Sequence, residues 1–245
     1  MVELLRKYRN KIKKNNLDSY RVKVKTSDLF ISTNGIYKKE SCKFLLQARK
    51  KIENYIKKKP YFKLSMDPVL ISSDMPGIVK EMVRKSKKCS VGPMAAVAGA
   101  VSDYVGVQLL KLSKEVIVEN GGDVFIKLKQ ERISAVYAGD SPLSMKVGIK
   151  LFPRKEGYGL CTSSGTVGHS KSGGNADAVV CISGNTALAD AAATRICNSV
   201  IDKKDIKKGL NLSKKIPGLD GCLIIMDDKM GAVGQIEICN LTQMK

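Results

Sequence analysis

Two stretches of this chain read as one unit written twice, and that repetition constrains the fold more than any other feature of the sequence. The first opens with a helix of small residues, PMAAVAGAVSDYVGVQLL. A strand from Val116 to Glu119 follows, then the turn Asn120 to Asp123, then a strand from Val124 to Leu128. The second opens with NTALADAAATRICNSVI and passes through a basic loop to a strand from Cys222 to Met226. It turns at Asp-Asp-Lys-Met-Gly and ends in a strand from Ala232 to Ile238. Helix, hairpin, helix, hairpin predicts an α+β fold with an internal duplication, its antiparallel sheets carrying helices on one face. Alanine and glycine along both helices let a neighbouring backbone approach closely. Helix–sheet packing and the approach of a ligand both account for that.

The rest of the chain fits a single domain of two related halves, about residues 20–130 and 131–240, behind a basic extension over 1–19. Tyr20 to Thr33 alternates Val22, Val24, Leu29 and Ile31 around a Thr-Ser-Asp break, which predicts a β-hairpin. Ser41 to Lys59 places Phe44, Leu45, Ala48, Ile52, Tyr55 and Ile56 at helical spacing. The proline-punctuated segment PYFKLSMDPVLISSDMPG reads as strand and loop. Pro76 is placed to open a helix reaching Lys88, with Ile78, Met82 and Val83 on one side. Leu160 and Ala178 to Ile182 mark two further apolar strands.

Several classes of protein are excluded. The most apolar stretch, Met94 to Leu110, is interrupted by Ser102, Asp103 and Gln108, short of the roughly 20 apolar residues that a spanning helix needs. No apolar signal core follows Met1, so a cytoplasmic protein without a membrane partner is expected. The seven cysteines include no Cys-x-x-Cys pair, which argues against a zinc ribbon or thioredoxin-type centre. Most stand in apolar company, as in VVCIS and GCLII, and read as small core residues. Net charge is +20, of which residues 1–63 carry +14, in runs such as KKNN, ARKK and IKKKP. No aromatic-rich strand or recognition-helix pattern accompanies those lysines. Nucleic acid is therefore not the expected partner; solvated faces, or a field favouring an anionic small ligand, are.

Three groups of residues carry chemistry. Thr162 to Gly174, TSSGTVGHSKSGG, is almost wholly Gly, Ser and Thr between two apolar strands. Such a loop offers backbone N–H groups and hydroxyls to a phosphate or other anion, with a flexible linker as the alternative. It is neither a Walker A loop, because Ser170 precedes Lys171, nor a nucleophile elbow, because Thr162 and Ser163 precede Ser164. His169 is the only histidine, so no histidine-built metal centre exists, and structural, ligand-bonding and general-base roles stay open for it. Asp190 and Thr194, in ALADAAAT, lie four apart and share a helix face. Carboxylate and hydroxyl oxygens are what magnesium takes, whereas an acid near a helix start also stabilises the helix dipole.

Together, GPMAAVAGAVSD, VENGGDVFI, CTSSGTVGHSKSGGNADAVV and ALADAAAT stand in the order of the FAD:protein FMN transferase (ApbE-like) superfamily, and the chain resembles its short archaeal and bacterial branch. YRVKVKTSDLFI, the PYF and DMP segments and AGDSPL extend the resemblance over nearly the whole sequence. It implies a tunnelling-fold-like architecture of two related halves. In the transferases FAD lies between the halves, magnesium bridges its pyrophosphate, and FMN is moved onto a threonine of an acceptor protein. By position the metal motif falls on Asp190 and Thr194, the Gly-x-x-x-Asp of the nucleotide-binding helix on Gly99 and Asp103, and the Gly-Gly-Asp turn on Gly121, Gly122 and Asp123. The Thr-Ser-Gly loop falls on Ser163, Ser164 and Gly165, so that Asn120, Thr162, Thr166, His169 and Ser170 would line the same cleft. Candidates for a catalytic role are His169 and Asp190.

The sequence departs from the transferases at two points. Ala98 stands where they carry lysine, and their His-x-x-Asp-Pro-x-x-Gly segment is missing. The metal side is thus retained and the acceptor side altered. The resemblance implies a second reading, a partner or assembly factor in sulfide assimilation and homocysteine formation that keeps the fold without flavinylating. A homodimer fits either reading.

Overall fold

The computed structural model describes residues 16–167 and 172–243. Most of the basic extension, and His169 and Ser170 of the Ser/Gly loop, therefore lie outside the described residues. The chain opens with the hairpin β1 (Asp18–Val24) and β2 (Ser27–Thr33), which turns at Lys25 and Thr26, one residue earlier than the expected break. Three helices follow: α1 (Lys38–Lys58), the short α2 (Tyr61–Leu64) and α3 (Gly77–Lys88). A 3-10 turn over Pro93–Ala96 leads into α4 (Val97–Leu109) and the hairpin β3 (Val116–Asn120) and β4 (Asp123–Lys127). Next come β5 (Arg132–Ala135) and β6 (Val147–Leu151), the hairpin β7 (Tyr158–Ser163) and β8 (Ala178–Ser183), and α5 (Thr186–Cys197). The chain closes with α6 (Ile206–Ser213), β9 (Leu219–Met226), β10 (Lys229–Gly234) and β11 (Glu237–Asn240).

Eight strands form one sheet in the order β1-β2-β3-β4-β7-β8-β9-β10, every neighbouring pair antiparallel. Its two halves repeat one topology, hairpin, helices, hairpin, and meet where β4 pairs with β7. A small sheet, β11-β6-β5, covers the opposite face of the second half. Strand β8 shows the consequence. Val179 and Cys181 join the core under the helices, while Ala178, Val180 and Ile182 join the core under the small sheet. A strand covered on both faces has no polar side to keep, so AVVCIS is apolar throughout rather than alternating.

The helices pack by periodicity and by small residues. On α1, Ser41, Leu45, Ala48, Ile52 and Tyr55 recur every three or four positions and are buried, leaving the lysines to solvent. On α4, glycine is required by close approach. A Cβ at Gly99 would sit 2.5 Å from the Thr186 carbonyl oxygen of α5, and one at Gly106 would sit 2.1 Å from the ring of Phe125 on β4. Helix–helix and helix–sheet contact thus both account for the small residues.

Three expectations need correction, and one pair of strands was not expected. The segment after Pro60 contains the single turn α2 and no strand, because its prolines and Ser-Ser-Asp remove ladder donors and favour turns. The basic loop after the second small-residue helix contains α6, whose Gly209 packs against Ile224. The last strand is two: Gly234 adopts φ 84° and turns the chain out of the large sheet, so that β11 pairs with β6. Strands β5 and β6 carried no signal that was recognised from sequence.

Candidate functional site

Helices α4 and α5 lie against each other near their N-termini, and each supplies an aspartate to the other. The Gly99 N–H donates to Asp190 Oδ2 at 2.8 Å, and Ala98 donates a second backbone hydrogen bond to the same carboxylate. In return the Thr186 hydroxyl donates to Asp103 Oδ1 at 3.2 Å, joined by the Thr186 backbone N–H. The first N–H groups of a helix have no partner within it. Gly99-x-x-x-Asp103 and Thr186-x-x-x-Asp190 therefore form one motif used reciprocally, in which each acid sits one turn beyond the first residue of its motif and satisfies the start of the other helix. Asp190 does act at a helix N-terminus, but that of α4 rather than its own.

The β3–β4 turn meets this corner from the sheet side. Gly121 and Gly122 both have positive φ, 70° and 109°, the pair of angles a two-residue hairpin turn of this twist demands. The Asn120 side-chain amide donates to the Ala98 carbonyl at 3.2 Å, and Ser102 donates to the Asp123 carbonyl at 2.9 Å. The Thr162 N–H donates to the Gly122 carbonyl at 3.2 Å, drawing the start of the Ser/Gly loop to the turn. Gly99, Asp103, Asn120, Gly121, Gly122, Asp123, Thr162 and Asp190 are thus gathered where the two halves of the sheet join.

Charge sets this corner apart from the rest of the molecule. Burial pushes the Asp190 carboxyl up to about 7, against the pull of the Gly99 and Ala98 hydrogen bonds. Burial, and then the Asp190 charge, push Asp123 well above the usual carboxylate range. Asp103 is raised too, chiefly by burial. Neither Asp123 nor Asp190 has a lysine or arginine in ion-pair range among the described residues. Two carboxylates held close in low dielectric without a cation are costly unless a proton or a cation joins them. The neighbouring Cys161 thiol is driven far up by burial and by both acids, and donates to the Thr186 carbonyl at 3.3 Å. It is a packed thiol rather than a nucleophile.

Thr194 lies one turn beyond Asp190, half-buried, and its hydroxyl makes no hydrogen bond among the described residues. A carboxylate, a hydroxyl and nearby backbone carbonyls are a hard-oxygen set, which fits magnesium. No group of three His, Cys, Asp or Glu is placed to hold a metal among the described residues. The same magnesium chemistry accommodates that, since this ion keeps waters and takes substrate phosphates beside one or two carboxylates.

The described part of the Ser/Gly loop is laced in place rather than free. Ser164 Oγ accepts from the Val167 and Thr166 N–H groups at 2.9 and 3.1 Å, and Gly165 N–H donates to the Ala176 carbonyl at 2.9 Å. Ser163 and Ser172 hydroxyls meet at 2.8 Å. Gly173 N–H donates to Asn198 Oδ1 at 2.7 Å, and a Cβ on Gly174 would strike the Cys197 carbonyl at 1.8 Å. The loop therefore rests on the C-terminal end of α5, with Thr162 alone reaching the carboxylate corner. Asp177 was not recognised from sequence: it accepts from Thr166 Oγ1 at 2.9 Å and from the Asp227 N–H at 2.7 Å, tying the loop to the β9–β10 turn. A lone acid at the mouth of an apolar strand, NADAVV, was the available signal.

An antiparallel sheet of two joined halves with helices packed on one face is a fold that this chain shares with solved ApbE structures. The chain matches the flavinyl transferase ApbE of Pseudomonas stutzeri with a TM-score of 0.57 and 13% identity, over 89% of this chain and 94% of that one. For the ApbE protein of Thermotoga maritima the values are 0.55 and 14%, over 93% and 98%. At such identities the likeness is one of fold. The chain belongs to the ApbE-like family: the family model described as AbpE bacteria matches residues 9–220. Its similar relatives include the UPF0280 protein of Methanococcus vannielii, 43% identical over 225 residues, 87% of this chain and 91% of that protein. The UPF0280 protein of Methanocaldococcus jannaschii is 39% identical over 223 residues, covering 88% and 90%.

Proposed function

We propose that this protein binds FAD or a related pyrophosphate nucleotide together with Mg2+ at the join between the two halves, and transfers FMN to a protein acceptor where one is available. The observation that carries the reading is the pair of buried carboxylates, Asp123 and Asp190, with no lysine or arginine in ion-pair range among the described residues, beside the hydroxyl of Thr194, which makes no hydrogen bond among them. Asp190 and Thr194 would hold the metal, which when bound supplies positive charge to a pyrophosphate. The Gly121–Gly122 turn would bring backbone close to the ligand without side-chain obstruction, and Thr162 would present its hydroxyl beside it. Ala98, Gly99 and Thr186 fix the orientation of the acids from behind. We further propose that the protein works in the cytoplasm; no helix among the described residues is long and apolar enough to cross a membrane.

Flavin fluorescence of the purified protein, titrated with FAD with and without Mg2+, tests this. Saturable binding abolished by chelator is expected. Thr194→Val should leave thermal stability unchanged and weaken the magnesium dependence about tenfold, the scale of one lost ligand to a charged centre. Binding indifferent to magnesium and to Thr194 would remove the metal assignment. One observation favours the second reading, a non-flavinylating factor in sulfide assimilation. Ala98 brings no cation to the corner, and its main chain is committed to Asp190 and Asn120. Tight FAD binding without any FMN transfer, and copurification with a sulfur-pathway enzyme, would favour that reading.

A further inference from the structure

A cleft of about 560 Å3 lies between the C-terminal end of α5 and helix α6. Arg195, Asn198 and Ser199 line one wall; Lys208, Asn211 and Lys215 line the other, with Leu212 between them. Positions 208, 211, 212 and 215 recur at helical spacing, so α6 and the turn after it aim two lysines and an amide at the same groove. Among the described residues no acidic side chain lines the cleft. The side chain of the half-buried Arg195 makes no hydrogen bond or ion pair among the described residues, nor does that of Lys215. Lys208 has one ion-pair partner among the described residues, Asp205 Oδ1 at 3.8 Å, while Asp205 Oδ2 accepts from the Ile201 and Asp202 N–H groups. Asn198 accepts the Gly173 N–H on its Oδ1, which leaves its amide hydrogens as the free donors; Ser199 donates to the Ile196 carbonyl.

A second basic cleft, on α1, carries an acid within it. Lys25, Lys39, Lys43, Arg49 and Lys50 line it, and Glu53 among them pairs with Lys25 at 2.7 Å and with Arg49 at 2.6 Å, which leaves Lys39, Lys43 and Lys50 without an ion pair among the described residues. The described lining of the α5–α6 cleft holds no acid at all. Three cations around one concavity repel each other unless an anion enters, and an arginine with two amides offers the fork of donors that a tetrahedral oxyanion takes.

We propose that the α5–α6 cleft binds the phosphate group of a small molecule, at a site separate from the Asp123–Asp190 corner. Arg195 and Lys215 bind the oxyanion directly, Lys208 adds charge, and Asn198 and Asn211 orient it. Asn198 also holds the Gly173 N–H, so one side chain joins this cleft to the described part of the Ser/Gly loop.

Isothermal titration with inorganic phosphate and pyrophosphate, at constant ionic strength and with EDTA present, tests the proposal. EDTA removes magnesium, so the measurement does not depend on the metal reading. Saturable binding is expected in the wild type and in Asp190→Asn, and loss by more than about tenfold in Arg195→Gln and in Lys215→Gln. Circular dichroism of each variant establishes that it folds. Binding that is equal in the Arg195 and Lys215 variants, that chloride reproduces, or that Asp190→Asn abolishes would overturn the proposal. Binding of a poly-glutamate peptide in the absence of phosphate binding would overturn it too, by assigning the groove to an acidic protein segment.

Discussion

Asp103 and Asp190 occupy similar places in the two halves of the molecule, the seventh residue of α4 and the fifth of α5, each bonded to the start of the other helix. Their surroundings differ. Asp103 has Glu81 and Lys85 within electrostatic reach, so acid and base are mixed around it. Asp190 faces a second buried acid, Asp123, and no lysine or arginine in ion-pair range among the described residues. Four residues beyond Asp103 stands the exposed Val107, whereas four beyond Asp190 stands the half-buried Thr194 with its hydroxyl unused. We propose that the halves, about residues 20–130 and 131–240, are copies of one unit, and that of their two equivalent helix acids only Asp190 serves as a metal ligand.

The largest effect tests the contact on which both acids depend. Gly99→Val places a Cβ 2.5 Å from the Thr186 carbonyl and 2.8 Å from Asp190 Cβ, so α4 and α5 must separate. A loss of about 3 kcal/mol or more in urea denaturation is expected. A loss below about 1 kcal/mol would show that the helices do not need this closeness.

A smaller effect distinguishes the two acids by pH. The Asp190 carboxyl sits at about 7 in the folded protein and at 3.8 as its ordinary value. Between those values the folded protein holds a proton that the unfolded chain has released. The stability this contributes is therefore fully present below pH 4 and lost as pH rises through 7. Without magnesium, wild type should lose about 2–3 kcal/mol relative to Asp190→Asn between pH 5 and pH 8. Urea denaturation of both proteins at the two pH values measures it. A wild type that instead gains on the variant would mean that Asp190 is ionised and already neutralised.

The repeated core of this arrangement was readable from the residues alone. Small-residue helices followed by hairpins, and the Asn-Gly-Gly-Asp turn with two positive φ angles, carry local signals that survive into the structure. The lone acid in ALADAAAT marked Asp190 because alanine offers a carboxylate nothing to pair with. Its actual partners were invisible, since the Ala98 and Gly99 N–H groups are backbone and leave no mark on sequence. The small sheet was missed for a different reason. Strands β5 and β6 have only four and five residues, and β6 pairs with a β11 nearly ninety positions later, so no local pattern announces them. Helix α6 was hidden by Gly209 amid lysines, although that glycine is what lets it lie on Ile224.

The smallest effect on stability belongs to the pair of conservative variants. Asp103→Asn should cost about 1 kcal/mol, the usual scale of a weakened helix cap, and Asp190→Asn should cost no more near pH 8. Their consequences for binding should differ sharply. The most direct measurement of the account is calorimetric titration of FAD and Mg2+ into wild type, Asp103→Asn and Asp190→Asn at pH 8. Magnesium-dependent binding kept by Asp103→Asn and lost by Asp190→Asn would establish that only the second half carries the cation site. Identical behaviour of the two variants would contradict it, and would return Asp190 to the purely structural role its counterpart plays.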